Sequence, residues 1–165
     1  MIDAIRRNVT WRAIPLAGIA GGTVHLITNL VLTPLFYDVS GWLVLRYAAG
    51  LVIGEDAVTS TGTDVLVLGA IVHYAISIAL ALIIAIVIHR WGLLVGVIGG
   101  ALLGLALYGI NLYTMTAFYE WFFAIHSNVL LLSHVLFGAT VGAVYESFDH
   151  YDVDYVYKED RYGTA

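Results

Sequence analysis

Asn29, His73, Asn111 and His134 each stand inside a long apolar run, and His25 lies one helical turn before Asn29. Imidazole and carboxamide side chains can relay a proton or hold a polar solute, and imidazole can also ligate a metal. Asp38 and Glu120 close the ends of two of these runs. Counted along helices at about 1.5 Å per residue, Asn29, His73, Asn111 and His134 fall at one depth in the outer third of a bilayer. On the same count His25 lies one turn deeper and the two acids form an outer mouth. An unpartnered polar group in hydrocarbon costs several kcal/mol, so these side chains are expected to face inward and pair.

Four readings of this layer are open. The first is structural: Asn29 and Asn111 bond His73 and His134 and fix helix register, at about 0.6 kcal/mol per bond. The second is a passage or binding site for an ion, proton or polar solute. A third is a metal site with His73, His134, Asp38 and Glu120 as ligands, which suits iron, manganese or zinc. The last is a haem b held between His73 and His134 on spans running the same way. His89, His126 and His150 lie at or beyond span ends and are expected to be solvated.

The elements that position these residues follow from composition. Of 165 residues, 61% are hydrophobic and 12% charged, whereas a soluble domain carries about 25% charge. The expected solvent is therefore a lipid bilayer. The chain contains no cysteine, which excludes disulfides, thiolate metal sites and cysteine nucleophiles. No basic stripe suited to nucleic acid is present, although the net charge is -5.

A spanning helix needs roughly 20 mostly apolar residues. Four stretches qualify, at about 13–36, 65–88, 92–118 and 128–147, within a single membrane domain that ends in an acidic tail, 148–165. The expected fold is an all-α polytopic bundle. Arg6, Arg7, Arg12, Arg90, Lys158 and Arg161 all fall on one side of it, and Arg46 alone on the other. The positive-inside rule then places both termini in the cytoplasm of a multi-pass cell-membrane protein. Between the first two spans, residues 41–54 are apolar but too short to cross. They suit an interfacial helix with Trp42, Arg46 and Tyr47 at headgroup level, a cover on the bundle, or a re-entrant segment.

The chain also repeats itself. Asn29-Leu-Val-Leu-Thr-Pro-Leu-Phe-Tyr-Asp38 parallels Asn111-Leu-Tyr-Thr-Met-Thr-Ala-Phe-Tyr-Glu120, and Gly18 to Gly22 parallels Gly96 to Gly100. His73, Ser77 and Ala81 parallel His134, Gly138 and Gly142 at the same four-residue steps. Two pseudo-repeated helical hairpins are expected, related by an axis along the membrane normal. Small residues let helix backbones approach closely in lipid. The ridges Gly18/Gly22, Gly96/Gly100/Gly104 and Gly138/Gly142 therefore pack either within the bundle or as a homo-oligomer seam.

Spans three and four read Gly92-Leu-Leu-Val-Gly-Val-Ile-Gly-Gly, then Asn111-Leu-Tyr, then Ser133-His-Val-Leu-Phe-Gly-Ala-Thr-Val-Gly-Ala-Val-Tyr145. This resembles the YagU-type small inner-membrane proteins and similar haloarchaeal four-helix proteins. The resemblance covers about a third of the chain and implies a membrane bundle of unassigned biochemical role.

No phosphate-cradling loop ending in GK[ST], no HExxH and no GxSxG occurs, so no catalytic residues are expected. The sequence points first to a non-enzymatic membrane component, self-associating or serving as an accessory subunit beside other membrane subunits. A small channel or carrier built around the Asn/His layer is the competing class.

Overall fold

A computed structural model describes residues 9–89 and 92–162, with side chains through Phe148. Arg6, Arg7, Arg90 and the side chains of His150, Lys158 and Arg161 lie outside the described residues, so the orientation expected from them is not tested by the fold. The described residues are mostly helical, with no strand among them. Six α-helices follow in order: α1 Ala13–Phe36, α2 Leu43–Ile53, α3 Asp56–Thr59, α4 Thr63–Ile88, α5 Leu93–Phe118 and α6 Asn128–Tyr162, with a 3-10 turn at Glu120–Ile125 before α6.

Four of these, α1, α4, α5 and Asn128–Phe148 of α6, are long and apolar enough to cross a membrane. Their bounds fall within two residues of those expected. Leu35, Phe36, Ile71, Leu94, Leu102 and Phe118 are each at least 63% exposed, a cost in water of roughly 25 cal/mol per Å² of apolar surface that lipid removes.

Local chemistry sets the helix ends. Pro15 sits in the first turn of α1, where its missing N–H would have had no helical partner. Pro34 in the last turns removes the N–H that Leu30 would have bonded. The chain doubles back over that spot through Gly41, where an added Cβ would lie 2.6 Å from the Leu30 carbonyl oxygen. Gly92 opens α5 at φ +84, a left-handed conformation that favours glycine. Its N–H donates to Glu146 Oε2 at 3.0 Å, which ties the start of α5 to α6.

At this end of the molecule the Thr10 N–H also donates to the Tyr145 hydroxyl at 3.1 Å. The start of α1, the α4–α5 bend and the middle of α6 thus share one end, here termed the hairpin end. At the opposite loop end the Asn128 N–H donates to the Tyr37 hydroxyl at 3.1 Å.

The helices associate through small residues. Gly100 and Gly138 each rest on the other's carbonyl, Gly142 rests on the carbonyl of Gly96, and Gly104 on that of His134. Alpha-carbon hydrogens against carbonyls at such contacts add weakly to dispersion, and only glycine allows the approach. On the other side of the bundle, Gly18 meets Ile78 and Gly22 meets Ser77. These contacts follow the sequence repeat, since Gly22 with Ser77 corresponds to Gly100 with Gly138. All three ridges are therefore used inside the chain, and a homo-oligomer would have to form on other surfaces.

The repeat breaks where the hairpins meet. Gly21 of α1 packs directly on Phe137 and Val141 of α6, but the equivalent pair, α4 and α5, touch only sparingly. Near the bend Gly99 faces Ile88 at 3.6 Å. Farther out, α2 fills the place of a direct contact. Its Leu45 carbonyl rests on Gly69 of α4, a glycine with room for nothing larger.

Of the three placements open for the first loop, α2 thus covers the bundle. Trp42 is exposed as expected, but Tyr47 is not at headgroup level: it is 5% exposed and packs against Trp121 and Phe122. An aromatic in a short loop helix gains more by covering apolar neighbours than by resting at an interface.

Candidate functional site

Three of the expected residues converge between the helices. His25 of α1 lies edge-on to His134 of α6, with ring centroids 4.7 Å apart, and 5.3 Å from His73 of α4. Expectation placed His25 a turn deeper than His134; instead His25 Nε2 and His134 Nδ1 are 3.3 Å apart. Residue counting assumes upright helices with a common boundary, and any tilt or axial offset between α1 and α6 cancels a one-turn difference.

The expected Asn–His pairs do not form. Asn29 Nδ2 donates to the carbonyl of His25 in its own helix at 2.9 Å, a local bond open to any asparagine within a helix. His73 Nε2 pairs with the Gly22 carbonyl at 2.9 Å and so links α4 to α1. Asn111 makes no hydrogen bond among the described residues.

Hydrogen-bond roles follow from these partners, taking each ring as neutral with one N–H and one lone pair. A carbonyl only accepts, so His73 carries its hydrogen on Nε2. His134 Nδ1 lies 2.9 Å from the Leu130 carbonyl and must likewise donate. It then has no lone pair to offer His25 Nε2, which becomes the acceptor of a shared contact. The His25 hydrogen is thereby left on Nδ1, a buried atom with no partner among the described residues.

These groups line a cavity of about 180 Å³ whose walls are mostly apolar. His25, His73 and His134 meet Tyr108 and Asn111 of α5 at its polar side. Leu51 of α2, Ile76 and Leu80 of α4, and Met115 of α5 line the rest. Tyr47 closes it from above; burial, with the Glu55 carboxylate as the smaller cause, pushes its hydroxyl above the usual range, so it stays neutral.

Towards the loop end a second cavity of about 210 Å³ holds Asn29, Thr33, Tyr37, His126 and Ser127. Val44 and Ile125 line both cavities and form the partition. Asn29 therefore belongs to the upper chamber and Asn111 to the lower. Below the histidines, Ala81, Ile84, Ile88, Phe137, Val141 and Tyr145 pack into a continuous apolar core. The polar space thus opens into only one half of the bundle.

The expected outer mouth is absent: Asp38 and Glu120 are exposed and line neither cavity. Both follow the last turn of a spanning helix, where the chain leaves the bundle and a carboxylate stays solvated. They cannot join His73 and His134 around one metal ion, and no group of three metal-ligating side chains forms among the described residues. The Nε2 of His73, the usual iron-binding atom of a haem ligand, is bonded here to the Gly22 carbonyl.

Tyr108 and the α2 residues had not been expected at the site. Tyr108 was legible in principle, since it precedes Asn111 by three residues and shares its helix face. The α2 wall was not, because nothing in an eleven-residue apolar segment states which neighbour it covers. No known protein family, curated protein or solved structure matches the chain.

Proposed function

We propose that the protein is a non-enzymatic membrane binding protein that holds a small molecule in the cavity beside His25 and Asn111. The carrying observation is the cavity itself, about 180 Å³ of mostly apolar space between the helices, to which Asn111 brings an amide unpaired among the described residues. A bundle built only for packing gains nothing from such a space, since an empty core cavity costs about 24 cal/mol per Å³. Apolar pockets with a few convergent polar groups are the usual form of small-molecule sites. The packed core at the hairpin end favours holding over conducting, and a carrier would need that core to open.

A structural or accessory-subunit role is the second reading, and the paired groups favour it. His73 on Gly22 fixes the register of α4 against α1, and Asn29 is satisfied within its own helix. On either reading we place the protein in the cell membrane with the hairpin end cytoplasmic, as Arg12 at the start of α1 supports. The Ser133–Tyr145 motif likewise supports kinship with the YagU-like proteins.

Asn111→Leu separates the two roles. A binding site predicts that the variant folds with a midpoint in detergent unfolding equal to or above that of the parent, because it removes an unpaired polar group. It also predicts loss of the small molecule that co-purifies with the parent in mild detergent. A lowered midpoint, with nothing co-purifying with either protein, would instead support the structural role.

A further inference from the structure

Arg46 is the only arginine or lysine at the loop end among the described residues, and it makes no hydrogen bond or ion pair with any of them. Five carboxylates share that end, those of Asp38, Glu55, Asp56, Asp64 and Glu120, yet all five are exposed and none pairs with it. The Arg46 Nε is buried without a partner, so the stem is packed and pins the guanidinium. The side chain as a whole is only half-buried, and its terminal Nη groups stay open to the surroundings.

Two contacts fix the depth of this group. Gly41 lies on Leu30, six residues inside the end of α1 at Phe36, and Leu45 lies on Gly69, six residues inside the start of α4 at Thr63. At about 1.5 Å per residue, both put the start of α2 roughly 9 Å inside the ends of its neighbours. Ala49 then packs with Ala57 and Val65, so α2 rises toward the loop end as it proceeds. The 26 residues of α4 extend about 39 Å, against about 30 Å of hydrocarbon. Arg46 therefore starts close to the hydrocarbon edge, and its long side chain carries the charge up to the headgroups. Trp42, one turn earlier on the same face, is 45% exposed, and Ile53, two turns later, is 53% exposed. This face of α2 looks away from the bundle onto lipid.

We propose that Arg46 holds the phosphodiester of a phospholipid headgroup in the leaflet at the loop end. The guanidinium fork matches phosphate oxygens and makes charge-assisted bonds to them, which supplies the partner that the protein withholds. Free phosphate shares that chemistry, but the five carboxylates repel a small anion arriving from water. A lipid phosphate is brought to Arg46 from the side by its own acyl chains. Once bound, the headgroup ties α2 down over the cavity. The site lies outside the cavity, so its failure leaves the binding reading in place.

Native mass spectrometry of the full chain in mild detergent tests this, with dioleoylphosphatidylethanolamine or dioleoylglycerol added at equal mole fraction. The two lipids share their chains, and only the first carries a phosphate. The parent is expected to retain the phospholipid at least about fivefold better, as for one basic side chain at a membrane surface. Arg46→Gln is expected to hold the two alike. The phospholipid is also expected to slow amide exchange across Leu43–Ile53 in the parent and not in the variant, which locates the site at α2. The parent's two measurements decide even where the variant does not fold.

Equal retention of both lipids by the parent would overturn the proposal, as would an Arg46→Gln variant that keeps the preference or a phospholipid that leaves α2 exchange unchanged. Inorganic phosphate in excess that slows α2 exchange as well as the phospholipid does would overturn the lipid source, since the site would then take the free anion.

Discussion

Gly138→Leu is expected to abolish assembly of the bundle. Gly138 rests on the carbonyl of Gly100, and an added Cβ would also lie 2.8 Å from the amide nitrogen of Gly104. Both obstacles are backbone, so no side-chain rotation relieves the clash. Even Gly138→Ala must push α5 and α6 apart, at about 1–3 kcal/mol by analogy with overpacked cores. Leucine would force a separation that forfeits the whole contact between the two helices. The control is Gly109→Ala on the same helix pair, where an added Cβ meets nothing within 4 Å. Alanine is favoured over glycine in a helix by about 1 kcal/mol, so that variant should match or exceed the parent. Unfolding in a detergent titration, followed by helical circular dichroism, reads both. Equal stability of Gly138→Ala and parent would show that the ridges do not meet as described.

The second large effect is local. Gly69→Val is expected to lift α2 from the bundle without dissolving it. The Leu45 carbonyl sits where a Cβ on residue 69 would go, and the Leu45 carbonyl carbon would lie 2.7 Å from it. α2 is a loop element anchored by that seat and by the packing of Tyr47 and Gly50 on Trp121. Displacing it should cost about 1–3 kcal/mol. Amide hydrogen exchange then separates local from global failure. Amides of Leu43–Ile53 should lose protection, while those of the Gly100–Gly138 seam keep theirs. Binding in the lower cavity should fail too, since Tyr47 and Leu51 form its cover. Uniform loss of protection across all four spans would mean that α2 is part of the bundle's core rather than a cover on it.

The spans were legible in sequence because hydrophobicity in lipid is a property of each segment alone. Ala13–Phe36 and Leu93–Phe118 end where polar or aromatic residues begin. The glycine ridges and their repeat were legible too, because a four-residue period marks one helix face whatever the partner. What the period leaves open is whether that partner is the same chain, and the reciprocal seats of Gly100 and Gly138 answer for this pair.

The polar layer was only partly legible. Residue types identified His25, His73, His134 and Asn111, all of which line one cavity. Their pairing was not readable, because depth along a sequence ignores tilt and because Asn29 can satisfy itself on its own helix. The departure from twofold symmetry was hidden as well. It depends on α2 taking the place between α4 and α5, a tertiary choice that no periodicity records. That departure is what creates the cavity, so the candidate site lies where the repeat fails.

The central claim is that His25, His73 and His134 form one neutral cluster between α1, α4 and α6, with the His25 hydrogen on Nδ1. Nitrogen-15 NMR of histidine-labelled protein in lipid nanodiscs, with His25 assigned from a His25→Gln variant, tests this most directly. The account predicts a neutral His25 ring protonated at Nδ1 and a His73 ring protonated at Nε2, where it donates to the Gly22 carbonyl. A His25 ring protonated at Nε2, or a His73 ring protonated at Nδ1, would contradict it.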